Sequence, residues 1–350
     1  AVVICDHTSG YYGKYKLLPT LVQLQSDITS PFPPLDLMVH IGEISAASFN
    51  DTIPAKEVWR VSEDGELRDP FKKLTTVFQM SEEMFFLHYG KDGCNRHVLI
   101  DECRELFGEI YEQIPELPFC NIWTAMQLSS RLPKGALFHM GVSNTRRCWN
   151  MFQLPESVES ACNVGCCGID GCVSTLVGAS LVNPDRLCYV VVGDLTFFYD
   201  LNSLGNHHIG TNLRVMLVNN GRGTEFRLGI HHCNVFGDDA DKYMAAAGHF
   251  GNKSPLLVKH YAEDLGFHYL SATTKEEFMT ALSNFTNPQL SDHSMILEVF
   301  TDSKDESEAL YLMSHIQSDA KGMVRSKLKD AVRNVAGEKG INAIKKILKK

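Results

Sequence analysis

Two short apolar runs, at residues 188–192 and 215–218, each stop abruptly in small polar residues, and this pairing limits the possible folds more than any other feature. The first passes into Gly193-Asp194-Leu195-Thr196, the second into Asn219-Asn220-Gly221-Arg222-Gly223. Runs this short, rich in Val, Met and Leu, read as strands covered on both faces. The stretch between them, 199–208, has room for one helix with Leu201 and Leu204 on a common face. The reading is a β-α-β unit, whose parallel strands bring their carboxyl ends to one edge of a sheet. Ligands of open parallel sheets sit outside that edge.

One strand then delivers a carboxylate, Asp194, and its neighbour a carboxamide, Asn220. Magnesium takes hard oxygen ligands in an octahedron, with few from protein and the rest from phosphate and water. Gly193, Gly221 and Gly223 let backbone groups come close to a phosphate or a metal. A magnesium-diphosphate site is the resulting expectation. The plainer alternative is an ordinary β-α-β unit, since Gly-Asp and Asn-Asn-Gly also serve as turns.

A chain of 350 residues should hold two domains with substantial cores. A net charge of -9 speaks against a general nucleic-acid binder, so no nucleic acid is expected as partner. No apolar run approaches the roughly 18 residues of a transmembrane helix, and a cytoplasmic location is expected. The 11 cysteines form no C-x-x-C pair and read as buried thiols rather than a disulfide framework. An opening on Ala, directly in a strand, points to a processed or excised piece.

The expected fold is α/β, with two three-layer domains of mainly parallel sheets. A central domain covers 1–117, a diphosphate-binding domain 118–303, and a basic helical tail 304–350. The first is expected to contain strands at 1–5, 35–41 and 57–61, helices at 17–25 and 101–113, and an apolar fragment at 84–86. Pro115 and Pro118 mark the boundary. The second is expected to run helix 121–132, strand 136–140, helix 172–182, then the β-α-β unit. Helices at 241–247, 256–265 and 274–284 follow, with a short strand near Tyr269 and another at 295–300. Thr274 and Glu277 have capping-box spacing. In the tail, Ile341, Ala343, Ile344, Ile347 and Leu348 form an amphipathic stripe, read as a solvated or domain-packing helix, with anionic-surface binding as alternative.

Arg146 and Arg147 follow the strand at 136–140, so they should lie on the ligand edge. Such a pair can hold a carboxylate in bidentate fashion, or make surface ion pairs. Cys162, Cys166, Cys167 and Cys172 are read as small buried residues rather than a metal-thiolate cluster. His207-His208 closes the helix after Asp194, while His231 and His232 lie in the 229–239 loop, where either could shuttle protons or simply cap and face solvent.

With GCCGIDG at 165–171, GDLTFFYDLNSL at 193–204 and NNGRGTEF at 219–226, residues 119–302 resemble the diphosphate-binding domain of thiamine diphosphate enzymes. Within them the chain is most similar to the succinyl-enolpyruvyl-hydroxycyclohexene-carboxylate synthases of menaquinone biosynthesis. DHTSG at 6–10 and VHIG at 39–42 resemble, more weakly, their central domain. The resemblance implies magnesium ligation by Asp194, Asn220 and the Arg222 carbonyl. It implies cofactor contacts from Ser143, Gly168, Gly193, Leu195, Thr196, Gly223 and Thr224, with Ile169 as the wedge under the bent cofactor. Arg146 and Arg147 are implied for a substrate carboxylate, and Phe226 over the thiazolium. Glu225, His231 and His232 complete the candidate catalytic set.

The sequence also departs from that family. Val164 stands where the synthases carry an arginine, Glu225 where an aliphatic residue is expected, and Arg222 where they have glycine. No glutamate can be nominated to activate the aminopyrimidine ring. The resemblance therefore implies a thiamine diphosphate- and Mg2+-dependent decarboxylase or carboligase acting on a 2-oxo acid. Its pyrimidine-binding domain would come from another chain or a longer form, and a homo- or hetero-oligomer is expected. The alternatives are a non-catalytic cofactor-binding subunit or degenerate homologue, and a nucleotide-binding α/β regulatory module.

Overall fold

The computed structural model describes residues 1–25, 32–42, 53–90, 98–165, 168–228, 231–243 and 254–316. It is an α/β structure, and every strand pairing among the described residues is parallel.

The chain opens with a small parallel pair, β1 (Val3–Ile4) and β2 (Lys16–Leu17), followed by α1 (Thr20–Leu24). The helix expected from residue 17 starts only at Thr20. Pro19 disfavours helical geometry at Leu18, so Leu17 stays extended and pairs with Ile4. A three-stranded sheet follows, β3 (Leu35–Ile41), β4 (Ala55–Ser62) and β5 (Leu74–Gln79), in that spatial order. The third strand was not legible, because its residues are mostly half-buried and show no clean alternation. The apolar fragment at 84–86 lies inside α2 (Glu82–Tyr89), where Ser81 accepts from the Met84 N–H and Glu82 and Glu83 suit the first turn. The charged α3 (Val98–Glu112) buries Ile100, Cys103, Phe107 and Ile110.

From residue 121 the chain builds one six-stranded sheet in the order β10-β11-β9-β8-β6-β7. Its strands are β6 (Leu137–Met140), β7 (Glu159–Cys162), β8 (Cys188–Gly193), β9 (Leu213–Asn219), β10 (His268–Ala272) and β11 (Met295–Phe300). The helices are α4 (Asn121–Leu128), α5 (Asn144–Trp149), α6 (Cys172–Val182), α7 (Asp194–Tyr199), α8 (Leu257–Asp264), α9 (Lys275–Phe285) and α10 (Ser303–Met313). Alternate residues of β8 serve two cores. Val190 and Val192 pack with α6, α7 and α8, while Tyr189 and Val191 pack on the face of α4, α9 and α10. Each fully buried side chain of this kind contributes about 1.5–3 kcal/mol. β7, Glu-Ser-Ala-Cys at a sheet edge, carries no strand signature in its sequence.

Two expectations are corrected here. The crossover helix begins at Asp194 itself, not at residue 199, because Phe197 is driven into the core and an acidic first residue favours a helix start. Leu201 and Leu204 sit in a separate 3-10 turn, Leu201–Gly205, and His207-His208 follow that turn with their rings tilted 41° to each other. The segment from residue 304 opens as α10, which is acidic and buries Ala309, Leu310 and Met313 in the main core. The amphipathic stripe at 341–348, residues 244–247 of an expected helix, and Cys166 and Cys167 lie outside the described residues. No described helix is long and apolar enough to cross a membrane.

Candidate functional site

The chain leaves β6 towards β7 on one side, then returns to place β8 on the other side of β6. The reversal makes a crevice between the carboxyl ends of β6 and β8, where ligands of such sheets bind. Ser143 stands on one lip and Asp194 on the other. Ser143 is exposed and takes φ 58, ψ -121, a backbone geometry that a non-glycine residue holds at a cost of about 1–3 kcal/mol.

Asp194 is buried at 2% exposure. Its Oδ1 accepts from the Leu195 N–H at 2.8 Å, and its Oδ2 reaches across to accept from the Gly221 N–H at 2.5 Å. The carboxylate of one strand end is thus closed onto the Asn-Asn-Gly turn of the next. Gly221 has φ 81, which lets that turn fold back. Asn220 Oδ1 accepts from the Arg222 N–H at 3.3 Å, leaving the carboxamide beside the same turn. Thr224, at the head of the 3-10 turn Thr224–Arg227, has a buried Oγ1 with no hydrogen-bond partner. A carboxylate, a carboxamide, backbone carbonyls and an unsatisfied hydroxyl form a hard-oxygen donor set suited to a hydrated dication carrying phosphate. Among the described residues, no cluster of three or more His, Cys, Asp or Glu gathers as a transition-metal site would require.

A second buried network lies beneath this turn. Asn219 donates to Glu298 Oε1 at 2.7 Å, and the Tyr269 hydroxyl donates to Glu298 Oε2 at 2.7 Å. Burial raises the Glu298 carboxyl, the two donors oppose that shift, and the nearby Asp194 charge adds to it. Asn219, immediately before Asn220, is thereby anchored to β11. A mid-strand Glu in an otherwise apolar run was the only available signal.

The two arginines part company. Both lie on α5. Arg147 forms a bidentate pair with Glu225, at 2.9 and 2.7 Å, spanning the end of β8 from the β6 side to the β9 side. Burial works against its charge, but the Glu225 carboxylate more than offsets this and holds its proton more firmly than usual. Arg146 turns the other way, to Asp6 Oδ2 at 3.5 Å. Asp6 in turn accepts from the Thr8 N–H at 2.8 Å and its hydroxyl at 2.6 Å, so the DHTSG segment is clasped to α5.

Further in, Glu306 of α10 is 1% exposed. Its Oε1 accepts from the Asn121 N–H at 2.8 Å and the Thr301 hydroxyl at 3.1 Å, while Oε2 is buried without a partner. Burial pushes its carboxyl up to about 7, against the pull of Asn121, Thr301 and Asn144.

The other candidates surround this edge less tightly. Phe226 is half-buried, with its ring edge-on to His231 at 5.2 Å. His231 Nδ1 accepts from the Cys233 N–H at 3.1 Å, a capping contact, and His232 is exposed. Thr196 is buried in α7, whereas Gly168, Ile169, Gly193, Leu195, Arg222 and Gly223 are half-buried. Asp200 Oδ2 accepts from the Ser174 N–H at 2.6 Å, closing the start of α6 just after the 165–171 stretch.

No protein-family model matches the chain. Among curated proteins it is 33% identical over 263 residues to the 2-succinyl-5-enolpyruvyl-6-hydroxy-3-cyclohexene-1-carboxylate synthase of Bacteroides fragilis, covering 73% of this chain and 45% of that protein. The protein of the same name from Phocaeicola vulgatus is 32% identical over 265 residues, covering 73% and 44%. That of Christiangramia forsetii is 33% identical over 199 residues, covering 57% and 33%. The chain spans less than half the length of these relatives.

Proposed function

We propose, for a chain that belongs to the 2-succinyl-5-enolpyruvyl-6-hydroxy-3-cyclohexene-1-carboxylate synthase-like family, that its carboxyl edge holds the diphosphate of thiamine diphosphate through Mg2+. Asp194, Asn220 and the Arg222 carbonyl are the metal ligands in this reading. Gly193, Leu195, Thr196, Gly223 and Thr224 line the diphosphate, Ser143 faces it across the crevice, and Gly168 and Ile169 support the bend between the two rings. When bound, the cofactor supplies a thiazolium carbanion for attack on a 2-oxo acid and an electron sink for decarboxylation. The chain's own residues position and exclude water: Phe226 covers the thiazolium, and Arg147 takes the substrate carboxylate. His231 and His232 stand at the mouth as candidate proton carriers.

The observation that carries this reading is the 2.5 Å contact of Asp194 Oδ2 with the Gly221 N–H, which brings the acid of one strand end to the amide turn of the next. In this reading residues 1–117 form a central domain and 118–303 the diphosphate domain, with 304–350 as an appended segment. The chain covers 45% of its Bacteroides fragilis relative. We therefore assign the pyrimidine ring and its activating glutamate to a further segment or a second subunit, within a cytoplasmic oligomer. Calorimetry tests the site: Mg2+-dependent thiamine diphosphate binding should weaken at least about 100-fold in Asp194→Ala, because loss of even an outer-shell partner of a metal costs about 10- to 100-fold. Unchanged binding would overturn the assignment.

One contact favours a second reading, a cofactor-binding chain without turnover. Glu225, where the family resemblance implies an aliphatic residue, already neutralises Arg147. Assay of a 2-oxo acid panel with the completed enzyme and with Glu225→Leu separates the two. Activity only in the variant supports the second reading, and activity in the parent supports the first.

A further inference from the structure

At the opposite end of the six-stranded sheet from Asp194 lies a cavity of about 310 Å³, between the β1–β2 segment and the loop leading into β7. Such a volume suits a small metabolite. Lys14, Lys16, Arg104, Tyr12 and His7 line it, with Glu156 as its carboxylate. The cations are not neutralised in place: among the described residues, no carboxylate lies within ion-pair reach of Lys14 or Lys16. Lys16 Nζ instead sits over the Tyr12 ring, 5.2 Å from its centre, and is half-buried. Arg104 donates to the Lys14 carbonyl at 2.5 Å, which leaves other guanidinium donors available.

His7 is the second, independent sign of a ligand. It is 2% exposed, and its Nε2 bonds the Phe152 carbonyl at 2.8 Å. That contact makes Nε2 the protonated nitrogen, so Nδ1 is an acceptor, and Nδ1 is buried with no partner. Its backbone is fixed as well: the N–H donates to Asn150 Oδ1 at 2.9 Å, and the carbonyl accepts from the Ser160 hydroxyl at 2.5 Å. Burial holds the imidazole down to about 4, so it is neutral at pH 7 and cannot serve as a third cation. Burial likewise lowers the Lys16 ammonium, with Cys5 and Asp6 opposing. An anion in the cavity would relieve that cost.

We propose that this cavity binds a small organic anion bearing a hydroxyl, a hydroxy acid, with its carboxylates on Lys14, Lys16 and Arg104 and its hydroxyl donating to His7 Nδ1. The assignment stands apart from the Asp194 site and does not depend on it. Calorimetric titration of the 350-residue chain with L-malate and with succinate tests it, because the two differ in the hydroxyl alone. Malate should bind about 5- to 10-fold more tightly, the worth of one hydrogen bond. Lys16→Gln should weaken both about 10-fold, and Glu156→Gln, at an exposed position, should tighten both. Lys16→Gln should leave the heat of Mg2+-dependent thiamine diphosphate binding unchanged. No malate binding, equal affinity for the two acids, or indifference to both substitutions would each overturn the proposal.

Discussion

At the carboxyl end of the three-stranded sheet the acids face water, whereas at the carboxyl end of the six-stranded sheet they are buried. After β4, Asp64 is exposed, accepting from the Ser62 hydroxyl at 2.5 Å and the Glu66 N–H at 2.9 Å. Those two donors hold its carboxyl below the usual range. After β3, the Gly42 N–H is taken by Glu82 Oε1 at 3.0 Å. The turns at this end are satisfied by their own neighbours. By contrast, Asp194 after β8, Glu298 within β11 and Glu306 of α10 are all within 2% exposure, and Thr224 Oγ1, after β9, has no partner. Parallel strands alone do not make a site. Burying acids and an unsatisfied hydroxyl at one edge costs stability, and a ligand is what such an arrangement repays.

The largest test of this contrast is Glu306→Gln. Its native carboxyl sits at about 7 against an ordinary 4.5, so the folded protein keeps a proton that the unfolded chain releases. The stability it gives is complete below pH 4.5 and disappears as pH rises to 7, amounting to about 3 kcal/mol. His7 runs the other way, since its native value near 4 makes stability fall as pH drops from 6.5 towards 4. Urea unfolding should therefore find Glu306→Gln equal to the parent near pH 4.5 and more stable by roughly 3 kcal/mol above pH 7. A difference that does not change with pH would break the contrast.

Arg147→Met should cost about 2 kcal/mol, since it strands Glu225 in a largely water-excluded edge. Arg68→Met, beside the exposed Glu66 and Asp64, should cost only a small part of that. Comparable losses in thermal melts would mean that burial is not what distinguishes the two edges. Next in size is Tyr269→Phe, at about 1–2 kcal/mol, because Glu298 Oε2 loses its donor. It should also weaken Mg2+-dependent binding several-fold if Asn219 is held through Glu298. Asp64→Asn should leave the melting temperature unaltered, and a clear shift there would show that the solvated edge is less passive than its exposure implies.

Much of this was legible because it is local. β3 and β11 and α6 match their expected limits to the residue. Thr274 caps α9 by accepting from the Glu277 N–H, although Glu277 reaches back to Thr273 rather than to Thr274. The polar edge after β8 and β9 was readable from Gly-Asp and Asn-Asn-Gly, since glycine turns and hard-oxygen side chains announce themselves in order along the chain. What was not readable involves partners far apart in sequence. Arg147 with Glu225, Arg146 with Asp6, and Glu298 with Tyr269 join segments whose meeting depends on strand order.

The sequence by itself determined a parallel α/β chain with an acid and an amide at neighbouring strand ends, because apolar period and turn chemistry act over a few residues. Only the tertiary structure decided which arginine faces the crevice, which carboxyls lose their water, and that His7 and Lys16 share a cavity at the far end of the sheet. Burial and charge pairing are properties of assembled surfaces, and no window along the chain contains them.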